Sequence, residues 1–260
     1  MNEDLKKHYD LVVASSMLNW WPKIKGLDIP QPKTKIVGLS NEDRQSLWGL
    51  LDMKELPKAL SSEILEVANS IGYPLFMRSD QGSGKHQWNH TCFVKDRMHL
   101  FGQLTRLVEW HETLFPPMPF GAIIFREYID MDSKFCAFEG LPISPERRYF
   151  INNGDIVDST SYWPEDSIRF YKSTKEYEDL PWRDLLEEMN KETPEEIELL
   201  TKYALEVARF FKDYWSVDFC RSLNSKWYLI DMARGEVSWN PKKDKEAATE
   251  LLEQLDLGDV

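Results

Sequence analysis

The chain has 260 residues, a formal net charge of −12 and 42% hydrophobic residues, enough apolar material for one large domain or for two lobes that share a cleft. The negative charge argues against a general nucleic-acid-binding surface, which needs a basic face, but it allows one local basic pocket. No apolar run approaches the roughly 20 residues of a membrane helix, and the charged N-terminus lacks the apolar core of a signal peptide. Because its three cysteines, Cys92, Cys136 and Cys220, are widely spaced and odd in number, we expect a cytoplasmic protein with reduced thiols and no membrane association.

The first half of the chain alternates between helical patterns and short apolar strands. Ser40-Asn-Glu-Asp has the cap and the acidic first turn of a helix start, and Ser61 or Ser62 is predicted to cap the next helix, which Gly72 ends. The predicted helices are 5–21, 40–53, the segment from 61 or 62 to 71, and 99–113. The predicted strands are 29–37, 73–78 and 91–94.

The second half changes to an antiparallel β pattern. The predicted strands are 122–129, 134–138, 146–152, 155–161, 216–221 and 226–232, with Asn153-Gly154 as a hairpin turn. Residues 163–193 are polar and are predicted to be a surface excursion with a short helix. Thr193-Pro-Glu-Glu opens a long amphipathic helix that is predicted to reach Tyr214, and a charged helix over 244–255 closes the chain. This order predicts an α+β fold in which two sheets face each other across a cleft.

A cation-bearing strand followed by a glycine-rich turn is the first chemical motif. The strand delivers Arg78, and the turn Gly82-Ser83-Gly84 is followed at once by Lys85. Glycines let backbone amides approach phosphate oxygens closely, and the two cations neutralise them. The spacing is not that of a P-loop, since no Ser or Thr follows Lys85. An ordinary β-hairpin with surface charges has the same pattern.

An apolar strand that ends in Glu127-Tyr128-Ile129 and runs into closely spaced acids is the second motif. An adenine lodged against such a strand can use backbone N–H and C=O groups, and a following acid such as Asp132 can accept hydrogen bonds from ribose hydroxyls. A plain strand that ends at a charged turn would look the same.

Two acids interrupt the apolar strands of the terminal hairpin, Asp218 in the first and Asp231 in the second. Two carboxylates in one sheet repel each other unless a cation lies between them, and Mg²⁺ prefers few carboxylates with phosphates and waters completing its shell. Both acids pointing to solvent is the alternative. Upstream, one of Arg147 and Arg148 should face inward, where it could stabilise transferring charge, or else lie on an edge-strand surface.

Taken in this order, the segments resemble the ATP-grasp superfamily over residues 29–240. The resemblance implies a nucleotide held between the two sheets of two α/β subdomains, with ATP and Mg²⁺ as cofactors. Its parts would be an N-terminal helical segment, a small lobe, a β-rich lobe with the metal site and a C-terminal helix, with the bounds 1–28, 29–120, 121–240 and 241–260.

The sequence departs from the superfamily's usual pattern at several positions. Arg78 stands where a lysine is usual, which suggests the clade of small, often phage-associated members with that exchange. Asp231 replaces a glutamate, Ala233 stands where a metal-binding asparagine is expected, and Ser216 stands where an arginine is common. Glu236 could supply a further carboxylate.

The resemblance implies ATP-dependent ligation of a carboxylate to an amine or related nucleophile through an acyl phosphate. Arg78, Lys85 and Arg148 would bind phosphates, with Lys85 and Arg148 acting in catalysis. Residues Glu127 to Ile129 and Asp132 would bind the nucleoside, and Asp218 and Asp231 would bind Mg²⁺.

The substrates implied are a small-molecule, peptide or protein carboxylate and an amine. The surface predicted to receive the acceptor is the excursion, with Trp163, Arg169, Tyr171 and Trp182. Two other functions have the same features. One is a non-ligating ATP-binding assembly factor, similar to the chaperones that help to build a translation initiation factor. The other is a kinase.

Overall fold

The computed structural model describes residues 2–114, 117–170 and 181–243 of the chain. The helix predicted over 244–255 therefore lies outside the described residues. Within them the architecture is α+β, as predicted, with two four-stranded antiparallel sheets and a separate two-stranded sheet. None of the described helices combines the length and hydrophobicity that crossing a bilayer requires.

The N-terminal segment forms two helices, α1 (Glu3–Ala14) and α2 (Met17–Ile24), where the sequence predicts one. The helices separate at Ser16, whose side chain accepts a hydrogen bond from the Leu18 amide and so caps the second helix. The α2 helix buries Met17, Trp20 and Ile24 on one face, at the spacing of an amphipathic helix.

This segment is bonded to both large sheets. The Ser16 hydroxyl donates to Oδ2 of the buried Asp80 at 2.6 Å, and Asp80 follows a strand of the first sheet. The Arg234 amide, at the end of the second sheet, donates to Ser15 Oγ at 2.8 Å. The N-terminal segment thus helps to hold the two sheets relative to each other.

The first sheet has the order β1-β4-β2-β3 and is covered on one face by three helices. Its strands are β1 (Thr34–Gly38), β2 (Leu75–Ser79), β3 (Phe93–Val94) and β4 (Ala122–Glu127), and its helices are α3 (Asn41–Gly49), α4 (Lys58–Ile71) and α5 (Leu100–Glu112). The predicted cap at Ser61 or Ser62 is wrong, since α4 begins at Lys58 directly after Pro57. Leu60 is buried, and its burial favours one more helical turn.

The second sheet has the order β10-β9-β7-β8 and packs one face against a long helix. Its elements are β7 (Glu146–Asn152), β8 (Asp155–Ser161), α8 (Pro194–Ala208), β9 (Trp215–Arg221) and β10 (Trp227–Arg234). Asn153 and Gly154 have φ values of 51° and 91°, which confirms the predicted hairpin turn. The extension of α8 to Tyr214 is wrong: α8 ends at Ala208, and Phe211 then turns into the core.

A third apolar cluster joins a short hairpin to two helices. These elements are β5 (Phe135–Ala137), β6 (Leu141–Ile143), α6 (Glu165–Phe170) and α7 (Trp182–Asn190). The prediction of a polar surface excursion is wrong for its described part, because Trp163 and Trp182 are each only 4% exposed and pack with the hairpin. Of the residues predicted to receive the acceptor, Tyr171 and the Arg169 side chain lie outside the description.

Candidate functional site

A cleft of about 830 Å³, counting the space that opens to solvent, lies between the two large sheets. Because side chains alternate along a strand, each sheet turns one face to its helices and the other towards this cleft. Six of the predicted site residues line it: Arg78, Lys85, Glu127, Tyr128, Ile129 and Asp231. The other three, Asp132, Arg148 and Asp218, are not among its lining residues.

An ion pair crosses the cleft from one sheet to the other. Arg78 on β2 places Nη1 2.9 Å from Oδ1 of Asp231 on β10. The arginine side chain is 6% exposed and the aspartate side chain 38%, so the carboxylate is the partner that solvent reaches. The predicted phosphate-binding cation and the predicted metal-binding acid are therefore in contact.

A second ion pair closes another part of the cleft. Lys85 Nζ lies 3.7 Å from Oε1 of Glu146, the first residue of β7, and 4.1 Å from the centroid of the Tyr162 ring. Burial opposes the charge of Lys85, but the Glu146 carboxylate outweighs it and raises the pKa of the ammonium above its ordinary range. Burial raises the pKa of Glu146 in turn.

Sequence reasoning missed Glu146 as a cleft residue. The available signal was strand alternation, since Glu146 lies two residues before Arg148 and therefore on the same face of β7.

The glycine-rich turn has a packing role that the sequence did not show. A Cβ atom on Gly82 would meet the Trp110 ring at 2.8 Å. Gly84 has a φ of +62°, and its Cβ would lie 3.1 Å from the same ring. The two glycines let the turn lie flat on Trp110, while Ser83 and Lys85 between and after them face the cleft. We predicted the glycines for close approach to phosphate, and the structure adds this second reason for them.

The other end of the cleft is apolar and aromatic. Phe76, Trp88 and Tyr128 line it, with the Trp88 ring 5.8 Å from that of Phe76 and 6.4 Å from that of Tyr128. The Glu127 carboxylate accepts a hydrogen bond from the Lys33 amide at 2.8 Å, which fixes the end of β4 beside this wall. A flat apolar ring could lie here against the strand end.

Arg126 on β4 is a further cleft residue that the sequence reasoning missed. It is 4% exposed, its Nε donates to Thr34 Oγ1 at 3.3 Å and its Nη1 to the Ile230 carbonyl, while Nη2 has no hydrogen-bond partner among the described residues. No ion pair joins it to a carboxylate of that part of the chain. Burial, followed by the nearby Arg78, lowers its pKa to about 10. The sequence signal was a single arginine within an apolar strand.

Arg148 and Asp218 form a two-point ion pair beside the cleft. Nε lies 2.8 Å from Oδ1 and Nη2 2.7 Å from Oδ2, and Nη1 donates to the Trp239 carbonyl at 2.9 Å. Burial opposes the charge of Arg148, but Asp218 outweighs it and raises the arginine pKa. Arg147, on the opposite face of β7, is also buried and pairs with Glu196 at 2.7 Å.

Asp132 is engaged elsewhere. Its carboxylate lies 2.8 Å from both Arg221 Nη2 and Lys134 Nζ, and these partners lower its pKa although burial opposes them. Contact with a ribose would require it to share these cations.

The acids on the terminal hairpin suit a weakly held divalent cation. Asp218 and Asp231 are directly opposite in the β9–β10 register, so they share one face of the sheet. Within the described ranges there is no group of three or more His, Cys, Asp or Glu side chains placed to hold a metal. Because Mg²⁺ is commonly held by one or two carboxylates together with phosphates, the residues present fit a cation that arrives with a nucleotide. Asp231 faces the cleft, whereas Asp218 would first have to release Arg148.

The comparisons with known proteins agree with this arrangement. A family model described as an ATP-grasp domain, clade family 3, matches residues 68–255, more than half of the chain. C-terminally truncated Cdc123 from Schizosaccharomyces pombe is similar in structure, with a TM-score of 0.54 and 13% identity over 87% of this chain and 85% of that one.

A D-alanine–D-alanine ligase from Bacillus anthracis, complexed with ATP, matches with a TM-score of 0.48 and 14% identity over 92% of this chain and 62% of the ligase. The comparison with curated protein sequences found no match. At these identities the solved structures show the fold alone. On the family match, the chain belongs to this ATP-grasp domain family.

Proposed function

We propose that the chain is a Mg-ATP-dependent ligase that joins a carboxylate to an amine, or a related nucleophile, through an acyl phosphate. One observation carries the proposal: the cations Arg78, Lys85 and Arg126 line the same cleft as the carboxylates of Asp231 and Glu146. A site with both signs of charge can hold a polyphosphate together with its divalent cation. The membership of the ATP-grasp family supports it.

In this proposal the adenine lies at the apolar end, between Phe76 and the backbone of Tyr128 and Ile129. The phosphates then lie towards Arg78, Lys85 and Arg126, whose charges neutralise them. Asp231 would hold the Mg²⁺, joined by Asp218 if Arg148 turns to the phosphates. The bound cation would supply further neutralisation of phosphate charge.

The chain's own residues bind and orient the reactants in this reaction and form no covalent bond to them. A carboxylate oxygen of the first substrate attacks the γ-phosphorus, and the bond to the ADP oxygen breaks. The amine of the second substrate then attacks the acyl carbon, and inorganic phosphate leaves. Arg78 and Lys85 stabilise the charge on the transferring group, and Arg148 can join them once it separates from Asp218.

A non-ligating ATP-binding assembly factor is the second candidate. The two-point pair of Arg148 with Asp218 favours it, because the pair occupies one predicted metal ligand and one predicted catalytic arginine together. Ala233, which has no metal-binding side chain, favours it as well. The exchange of lysine for Arg78, the link to a phage-associated clade and the cytoplasmic location stay predictions from the sequence.

Hydroxylamine trapping tests the ligase directly. The protein is incubated with Mg-ATP and a pool of amino acids and peptides, and hydroxylamine is added to convert any acyl phosphate to a hydroxamate. We expect ADP, phosphate and hydroxamate to form in equal amounts, and ¹⁸O from a labelled carboxylate to appear in the released phosphate. ATP binding without turnover in any pool would refute the ligase and support the assembly factor. Phosphate that stays on the substrate would indicate a kinase.

The variant Asp231→Asn locates the site. It should lose turnover while it remains folded, because it removes the carboxylate that faces the cleft. Asp213→Asn is the matched control, since Asp213 is 64% exposed and pairs with Arg234 at 3.4 Å. Full activity of Asp231→Asn would refute the metal assignment.

A further inference from the structure

Three side chains surround the ammonium group of Lys85, and together they form what we call the ammonium pocket: Glu146, Tyr162 and Trp163. The lysine Nζ lies 3.7 Å from Glu146 Oε1, 4.1 Å from the centroid of the Tyr162 ring and 5.0 Å from that of Trp163. A carboxylate with two aromatic faces attracts an organic cation through both charge and the ring quadrupoles. Glu146 and Trp163 also line the nucleotide cleft, so the pocket opens into it.

The ammonium pocket is only partly satisfied by Lys85. Glu146 is 4% exposed, yet its Oε1 accepts no hydrogen bond from any described residue. The distance of 3.7 Å to Nζ is longer than the roughly 2.7–2.9 Å of a charge-assisted hydrogen bond. A buried carboxylate oxygen without a donor is costly. The pocket therefore has capacity for a cation that comes closer to Glu146 than Lys85 does.

Lys85 also has a competing partner under the proposed function. It follows Gly84 directly, and its side chain is 26% exposed, so it reaches into the pocket from the cleft wall. When nucleotide phosphates bind, they attract the same ammonium group. If Lys85 turns to them, the Glu146 carboxylate is left buried between two rings without a counterion, an arrangement that another cation would relieve.

We infer that the ammonium pocket binds the amine substrate of the proposed ligation, as an alkylammonium ion, once Lys85 has turned to the nucleotide. This inference rests on the proposed function for the movement of Lys85. It names the class of the second substrate: a primary alkylamine whose charged end lies between Tyr162 and Trp163 and against Glu146. Neutral and anionic ends are disfavoured by the buried carboxylate.

Ligand-observed NMR with n-propylammonium tests the inference on the full chain. Titrations are made with and without the non-hydrolysable nucleotide AMP-PNP with Mg²⁺, and 1-propanol serves as the neutral probe of the same size. We expect AMP-PNP to strengthen n-propylammonium binding by about tenfold and to leave 1-propanol without measurable binding. Since coupling is reciprocal, n-propylammonium should strengthen AMP-PNP binding by the same factor in calorimetry.

Two variants locate the bound cation. Glu146→Gln keeps the shape of the side chain and should abolish the nucleotide-dependent binding of n-propylammonium. Glu165→Gln, on an exposed carboxylate of α6, is the matched control and should leave it unchanged. Lys85→Met empties the pocket permanently, so n-propylammonium should bind this variant without AMP-PNP.

The outcomes separate the inference from the proposed function. If AMP-PNP fails to bind the wild-type protein, the proposed function is wrong, and Lys85→Met still tests the ammonium pocket alone. Equal n-propylammonium binding by Glu146→Gln and wild type would overturn the inference, and so would equal binding of 1-propanol. Absence of binding to both Lys85→Met and nucleotide-loaded wild type would overturn it too. The wild-type comparison requires no substitution, so a misfolded variant does not remove the test.

Discussion

Asp218 places both carboxylate oxygens on the guanidinium of Arg148, at 2.8 Å from Nε and 2.7 Å from Nη2. The sequence predicted separate roles for these residues, one as a metal ligand and one as a phosphate-binding cation. In the structure they neutralise each other, and both are buried. Neither reaches a ligand until the pair separates, so the pair is a structural element of the second sheet in the nucleotide-free chain.

Breaking this pair from one side should destabilise the protein strongly. We expect Asp218→Asn to lower the free energy of unfolding by about 3–5 kcal/mol, because Arg148 is left as a buried charge without a counterion. The exposed control Asp213→Asn should change it by about 0–1 kcal/mol. Urea denaturation measures both. Adding Arg148→Met to Asp218→Asn should recover part of the loss, and a double variant less stable than Asp218→Asn would contradict this account.

The contact of the glycine-rich turn with Trp110 predicts that Gly82→Ala is harmful. The added methyl group would lie 2.8 Å from the ring, and overpacking of this kind costs about 1–3 kcal/mol of stability. ATP affinity should fall as well, because Ser83 and Lys85 in the same turn line the cleft. Thermal unfolding and calorimetric titration with ATP measure the two effects.

The control for this substitution is Gly102→Ala on α5. Gly102 has nothing within 4 Å of the added Cβ, so alanine should stabilise this helix by about 0.5–1 kcal/mol. Combining Gly82→Ala with Trp110→Leu, which shortens the ring side chain, should cost less than the sum of the two single variants. Strict additivity would show that the ring is not the obstacle.

Arg126 should exchange stability for ligand binding. Its buried guanidinium has no carboxylate partner among the described residues, so Arg126→Met should leave the nucleotide-free protein as stable as wild type or more stable. The same variant should bind ATP at least about tenfold more weakly, since one charge-assisted contact contributes about 1.5–3 kcal/mol. Lys35→Met, an exposed change of the same charge on β1, controls for net charge. Unchanged ATP affinity in Arg126→Met would exclude the residue from the nucleotide site.

His111 predicts a dependence of stability on pH. Burial lowers its pKa below the ordinary value of 6.5, although a hydrogen bond from Nε2 to the Met118 carbonyl opposes the shift. Below about pH 6.5 the unfolded chain therefore binds the proton more readily than the folded one, and the free energy of unfolding falls as the pH falls through the lowered pKa. Above that pH the contribution is fully present.

Urea denaturation from pH 4 upwards, in steps, measures this slope. His111→Gln should flatten it relative to wild type, while His8→Gln, on the exposed surface of α1, should leave it unchanged. Identical slopes for wild type and His111→Gln would show that the buried ring does not contribute.

Local patterns in the sequence were sufficient for most of the elements. Thr193 followed by Pro194 predicted the start of α8, and Asn153-Gly154 predicted the hairpin turn, because caps and turns depend on the chemistry of adjacent residues. The end of α8 and the course of residues 163–193 were predicted wrongly. Both depend on side chains, such as Phe211 and Trp163, that pack against distant parts of the chain.

By itself the sequence determined the α+β class and six of the residues that line the cleft, because strand alternation and local motifs set which side chains each strand offers. Only the tertiary structure decided which of them meet. It joined Arg78 to Asp231 across two sheets, removed Arg148 and Asp218 from the cleft by pairing them, and added Glu146 and Arg126. The physical reason is that ion pairing and burial depend on distances between strands far apart in the chain, which no local spacing encodes.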